Sequence, residues 1–79
     1  VLEEFSGLAR EKTVRDADLS EEDLQILSQA SKGATNREIG LAMNRSEIAI
    51  KKRLQTIFQK LEVNDRAHAV AEALRRGLI

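Results

Sequence analysis

Lys51, Lys52, Gln55 and Gln59 recur along one side of the stretch SEIAIKKRLQTIFQKL, Ser46 to Leu61. Long cationic and amide side chains in a row can do one kind of chemistry well. Lysine meets the acceptor edge of guanine and neutralises phosphate, and glutamine pairs with adenine. Such a row works only if something rigid holds it in line. The same stretch supplies that support, because Ile50, Leu54, Ile57, Phe58 and Leu61 recur at steps of three and four. That spacing predicts a helix with an apolar stripe turned toward a core. A buried stripe behind and a Lys/Gln row in front suit a helix that enters the major groove of DNA. They also fit a surface helix whose polar side is merely solvated.

The rest of the chain offers little competing chemistry. There is no cysteine, hence no disulfide framework and no thiolate metal site. His68 is the only histidine and cannot hold a metal alone. No carboxylate pair is enforced by spacing, so the expectation is a protein that is not an enzyme and takes no metal or cofactor. With 79 residues the chain makes one domain at most, with a small core. No apolar run approaches the ~18 residues of a membrane span, and no signal-peptide pattern opens the chain. These absences point to a cytoplasmic protein. Val1 in place of an initiating methionine hints at a piece from the C-terminal end of something longer.

A formal net charge of zero argues at first against a nucleic-acid partner. The distribution softens that argument. Residues 1–31 hold eight Asp or Glu against three Lys or Arg, and residues 32–60 hold seven Lys or Arg against two Glu. Residues 61–79 balance at three against three. The middle of the chain is therefore basic and its front acidic, and local field matters more than the total for steering a phosphate backbone. A neutral module should nevertheless bind DNA weakly alone and lean on dimerisation or a further domain.

Three further helices are needed to hold the first. Ser20-Glu21-Glu22-Asp23 is a helix start, a capping hydroxyl followed by acids at the positive end of the dipole. Leu24, Ile26, Leu27 and Ala30 supply the inward side of a helix over 21–32, and Gly33 closes it. Thr35 and Glu38 form a capping-box pattern for a second helix of about eight residues, with Ile39, Ala42 and Met43 at helical spacing. Gly40 in its middle is unfavourable by propensity and points to a close approach of another backbone. After a tight connection, Ser46 caps the third helix. Asn64 or Asp65 then starts a fourth, in which Ala67, Val70, Ala71 and Leu74 make the expected inner stripe. Leu78 is placed to fold back past Gly77. Residues 1–18 read as a connector, with a short amphipathic helix over Val1–Val14 broken by Gly7, or alternatively as a dimerisation helix. The expected architecture is all-α, a tetrahelical helix-turn-helix bundle over residues 19–79 behind an N-terminal linker.

At this point the segments LSEEDLQIL, GATNREIG, RSEIAIKKRLQTIFQKLEV and DRAHAVAEALRRGLI resemble the GerE/LuxR/NarL-type helix-turn-helix family, in unbroken order from Leu19 to Ile79. The resemblance implies a DNA-binding domain at the C-terminal end of a bacterial transcription regulator, bound as a two-fold homodimer, controlled by an N-terminal receiver or sensing domain, and in some cases touching RNA polymerase. It implies a cytoplasmic, nucleoid-associated protein. The family's recognition helix falls on Ser46 to Lys60, with Lys51, Lys52 and Gln55 facing bases. Backbone contacts fall on Thr35, Asn36, Arg37, Ser46 and Lys60. The fourth helix would carry the dimer contact, placing Ala69 and Ala73 near the two-fold axis. Four positions depart from the family pattern. Arg45 replaces an apolar residue and could open the turn or reach a phosphate. Arg53 replaces a frequent histidine and could touch the DNA backbone or stay solvated. Gly40 replaces an alanine, and Glu62 a glycine. A sigma-factor region shares the first and third helices but lacks the R-x-x-A-V and GLI signals. A helical protein-interaction module without DNA binding is the other alternative.

Overall fold

Among the described residues, every helix start is closed by a side chain that turns back on the backbone. The computed structural model describes residues 18–79. It contains four helices, which we number α1 (Glu21–Ser31), α2 (Asn36–Met43), α3 (Glu47–Leu61) and α4 (Arg66–Arg75). Ser20 and Asp23 form a reciprocal capping box on α1, with both hydrogen bonds at 3.1 Å. Thr35 and Glu38 do the same for α2. The Ser46 hydroxyl accepts the Ala49 N–H at 3.0 Å, and the Asp65 carboxylate accepts the His68 N–H at 2.7 Å. Each bond satisfies an orphan donor of the first turn. The expected starts hold, and Asp65 rather than Asn64 is the cap of α4. The helix and connector expected over residues 1–17 lie outside the described residues.

The helix ends share one device, a left-handed residue followed by a backward hydrogen bond. Gly33 (φ +87°) ends α1, and the Ala34 N–H reaches back to the Gln29 carbonyl at 3.2 Å. Gly77 (φ +72°) lets the Leu78 N–H reach the Ala73 carbonyl at 2.9 Å. Leu78 is thereby folded into the core, as expected. Glu62 takes the same role on α3 at φ 59°. A side chain tolerates that region at a cost that glycine avoids.

Gly40 is the position where the absence of a side chain decides the packing. A Cβ there would lie 2.6 Å from the carbonyl oxygen of Arg45. The α2–α3 turn therefore folds directly onto the middle of α2, with Asn44 left-handed at φ 57° and the Arg45 N–H bonded to the Gly40 carbonyl at 2.8 Å. This close approach makes α2 and α3 the most extensively packed pair of helices. Among the described residues there is no strand, and no helix is long and apolar enough to cross a membrane.

The core joins Leu24, Ile26, Leu27 and Ala30 of α1 to Ile39 of α2 and to Ile50, Leu54, Ile57 and Leu61 of α3. Phe58 is only half-buried at its edge, and Ala42 of α2, expected inward, is exposed. The larger correction is on α4. Its inner face is made by Ala69 and Ala73, both fully buried. The stripe expected inside points mostly outward: Ala67 and Ala71 are exposed, Val70 is half-buried, and Leu74 is 57 % exposed. The helix has two candidate apolar faces. Packing against α1 and α3 selects the one built from small side chains, because closely approached helices leave no room for a leucine. Ala69 and Ala73 therefore hold the protomer together and cannot present surface to a second copy.

Candidate nucleic-acid interface

The apolar stripe of α3 fixes what its other side can do. With Ile50, Leu54, Ile57 and Leu61 buried, Lys51, Lys52, Gln55 and Gln59 are all exposed. At about 100° per residue they share a band roughly 100° wide on the side facing away from the core. Neither lysine forms an ion pair with any described residue, and the same is true of exposed Arg37 on α2. The three cations thus carry uncompensated charge. The Thr56 hydroxyl bonds the Lys52 carbonyl at 3.3 Å, a local contact that leaves the row untouched.

The other two cations of α3 behave differently. Arg53 Nε donates to Asp23 Oδ1 at 2.5 Å, Arg53 Nη2 donates to the Ser20 hydroxyl at 3.1 Å, and Arg53 Nη1 lies 3.9 Å from Glu22 Oε1. Lys60 Nζ stands 3.9 Å from Asp18 Oδ2 and 4.0 Å from Asp23 Oδ2. Both side chains line a cleft of about 470 Å³ with Asp18, Leu19, Ser20, Asp23 and Thr56. On the helix they sit more than a third of the circumference away from Gln55. The DNA-backbone role expected for Arg53 is therefore corrected: its guanidinium neutralises a buried carboxylate and clamps α3 to the start of α1. Lys60 stands only at the outer limit of ion-pair distance from the same carboxylate and makes no hydrogen bond to it, so it stays a candidate for a DNA-backbone contact. Sequence alone could not show this, because Asp23 and Arg53 are brought together only by the fold.

Asp23 is 2 % exposed. Burial pushes its pKa up. The Arg53 hydrogen bond, the Ser20 backbone N–H and the charges of Arg53 and Lys60 outweigh that effect and hold the carboxyl below its ordinary value. Arg53 is correspondingly raised, first by its hydrogen bond to Asp23. Glu38 is lowered as well, by the backbone and then the side-chain hydrogen bond it shares with Thr35.

Backbone-contact candidates gather at the two helix starts beside the row. Thr35 and Arg37 are exposed at the start of α2, and Ser46 is exposed at the start of α3. The Thr35 N–H is already taken by the Glu38 carboxylate at 2.9 Å. That leaves the hydroxyl proton, rather than the amide, for an outside acceptor. Asn36 is half-buried, and its Oδ1 accepts from Arg66 Nη1 at 2.8 Å. Arg45 pairs with Glu22 at 3.0 Å and tethers the turn to α1. Arg66 is the arginine of the R-x-x-A-V signal, to which the sequence assigned no contact. It also donates to the Ala34 carbonyl, so it fastens the start of α4 to the loop before α2. With Asn36, Lys51, Leu54, Gln55 and Phe58 it lines a second cleft of about 230 Å³ beside the exposed row. Its place at the head of R-x-x-A-V, directly after the Asp65 cap, was the forward signal for it. Among the described residues no cluster of potential metal ligands occurs.

Residues 17–73 match the GerE family, described as bacterial regulatory proteins of the luxR family. The chain belongs to that family. The transcriptional regulatory protein DegU of Brevibacillus brevis is 36 % identical over 61 residues, 77 % of this chain and 26 % of that protein. The transcriptional regulatory protein YdfI of Bacillus subtilis (strain 168) is 30 % identical over 78 residues, 99 % of this chain and 37 % of its own length. The response regulator protein VraR of Staphylococcus aureus (strain NCTC 8325 / PS 47) is 38 % identical over 61 residues, 77 % of this chain and 29 % of that protein. The chain thus spans between about a quarter and two-fifths of the length of these curated relatives. No solved structure gives a significant match. The luxR family is one of DNA-binding transcription regulators, and the helix-turn-helix of this domain is α2, the Gly40-dependent turn and α3.

Proposed function

We propose that residues 19–79 bind double-stranded DNA sequence-specifically, with α3 in the major groove, as the output domain of a response-regulator-type transcription factor. One observation carries the reading: Lys51, Lys52 and Gln55 stand exposed in a row opposite the buried stripe of α3, and neither lysine is neutralised by a described carboxylate. Lys51, Lys52 and Gln55 read base edges. Thr35, Asn36, Arg37, Ser46 and Lys60 position the domain on phosphates. Arg45 can join them, since an exposed ion pair such as its bond to Glu22 is worth only about 0–1 kcal/mol and exchanges readily for phosphate.

The domain works as a two-fold homodimer through the outward apolar side of α4. Ala67, Val70, Ala71 and Leu74 lie within one band of that helix, and 57 % of Leu74 is open to solvent in the protomer. Residues 1–18 connect this unit to a preceding regulatory domain, and the regulator acts in the cytoplasm on the nucleoid, where contact with RNA polymerase is a further step. The test is a mobility-shift titration of Lys51→Ala and Gln55→Ala against a selected duplex and a random one, at two salt concentrations. Each variant is expected to lose about 1–3 kcal/mol of specific binding and to relax one base position. Equal weakening on both duplexes would refute base reading. An absence of salt dependence would refute DNA binding itself and leave the interaction module.

A further inference from the structure

Ile48 is a large apolar side chain that the core does not use. It sits in the first turn of α3, two residues beyond the Ser46 cap, and 67 % of it is exposed. Its apolar surface is therefore open to a contact outside the protomer. Its place on the helix is specific. Ile48, Lys51, Lys52 and Gln55 are spaced i, i+3, i+4 and i+7, so Ile48 lies near the middle of the outward band and at its N-terminal end. The N-terminal residues of a recognition helix are ones that contact base edges in the groove. The adjoining chemistry is polar and cationic, which suits base edges and phosphates. Only one group in the major groove rewards an aliphatic contact, the C5-methyl of thymine.

We infer that Ile48 is a specificity-determining residue that packs on a thymine methyl beside the bases read by Lys51 and Lys52. The inference rests on the proposed DNA binding by α3 and adds one base identity to it. Because Ile48 is two-thirds exposed and lies outside the buried core, its replacement is expected to leave the fold intact, so the site can be tested without unfolding the domain.

Duplexes randomised over the binding site are selected with the intact chain and with Ile48→Ser, and the enriched site is then resynthesised with deoxyuridine in place of each thymidine in turn. Deoxyuridine keeps every hydrogen-bonding group and removes only the methyl. The wild type is expected to enrich thymine at one position per half-site and to lose affinity about fourfold when that thymine becomes uracil, the worth of roughly one buried methyl group. Ile48→Ser is expected to bind the two duplexes equally and to lose the thymine preference in selection. Thermal melts of the two proteins should coincide. A wild type indifferent to every thymine-to-uracil change, or an Ile48→Ser variant that keeps the difference, overturns the inference while leaving DNA binding by α3 in place. A shifted oligomeric state for Ile48→Ser with unchanged base preference also overturns it and assigns the side chain to a second copy. If no sequence is enriched by either protein, the proposed base reading falls and this inference falls with it.

Discussion

Replacing Asp23 with Asn tests how α3 is held, and the size of the effect can be reasoned from the structure. Asp23 is 2 % exposed, and it accepts one short hydrogen bond from Arg53 and one from the Ser20 N–H. The amide of Asn keeps an oxygen for the Ser20 N–H, so most of the cap survives. What is lost is the charge-assisted bond to Arg53, which is worth about 1.5–3 kcal/mol. Breaking a fully buried ion pair costs about 3–5 kcal/mol. The Arg53 side chain is 39 % exposed, so water screens part of the orphaned charge. A loss of about 1–3 kcal/mol at pH 7 is the expected result, measured by urea denaturation. Acid provides the control. The folded-state pKa of Asp23 is lowered, so its contribution is fully present above the unfolded value of about 3.9 and is lost as pH falls through the lower folded value. Wild type and Asp23→Asn should therefore converge in stability as pH drops below about 4. Equal stability at pH 7 would refute the clamp. A deficit that persists undiminished in strong acid would show that shape rather than charge makes the difference.

Gly40→Ala should lower stability by about 1–3 kcal/mol, because the added methyl meets the Arg45 carbonyl. It should do so although alanine is the better helix former by about 1 kcal/mol, and an unchanged thermal melt would show that the turn relaxes without cost. Ala73→Leu should destabilise the protomer by about 1–3 kcal/mol through overpacking. Leu74→Glu, one position on, should leave the melt of the protomer unchanged and abolish dimers in sedimentation. The opposite pattern would mean that the two faces of α4 are exchanged.

Much of the bundle was legible in advance because local signals agree with the global fold. Ser20, Thr35, Ser46 and Asp65 announce helix starts through bonds made within three residues. Gly33 and Gly77 announce helix ends through backbone geometry that few other residues adopt. The stripe of α3 announces its buried face because only one of its faces is continuously apolar. The exposed row of Lys51, Lys52 and Gln55 followed from that stripe by elimination.

Where a helix offers two plausible faces, or a cation several plausible partners, the sequence alone is silent. Composition favoured Ala67, Val70, Ala71 and Leu74 as the inside of α4, yet the closeness of the neighbouring helices admitted only Ala69 and Ala73. Arg53 looked like a phosphate ligand on a basic helix, and the fold turned it toward a buried carboxylate 30 residues away along the chain. Hydropathy and capping act over one or two turns and can be read from a string of letters. The distance between packed helices and the pairing of remote charges exist only once the chain is folded, and they assigned each side of α3 and α4 its role.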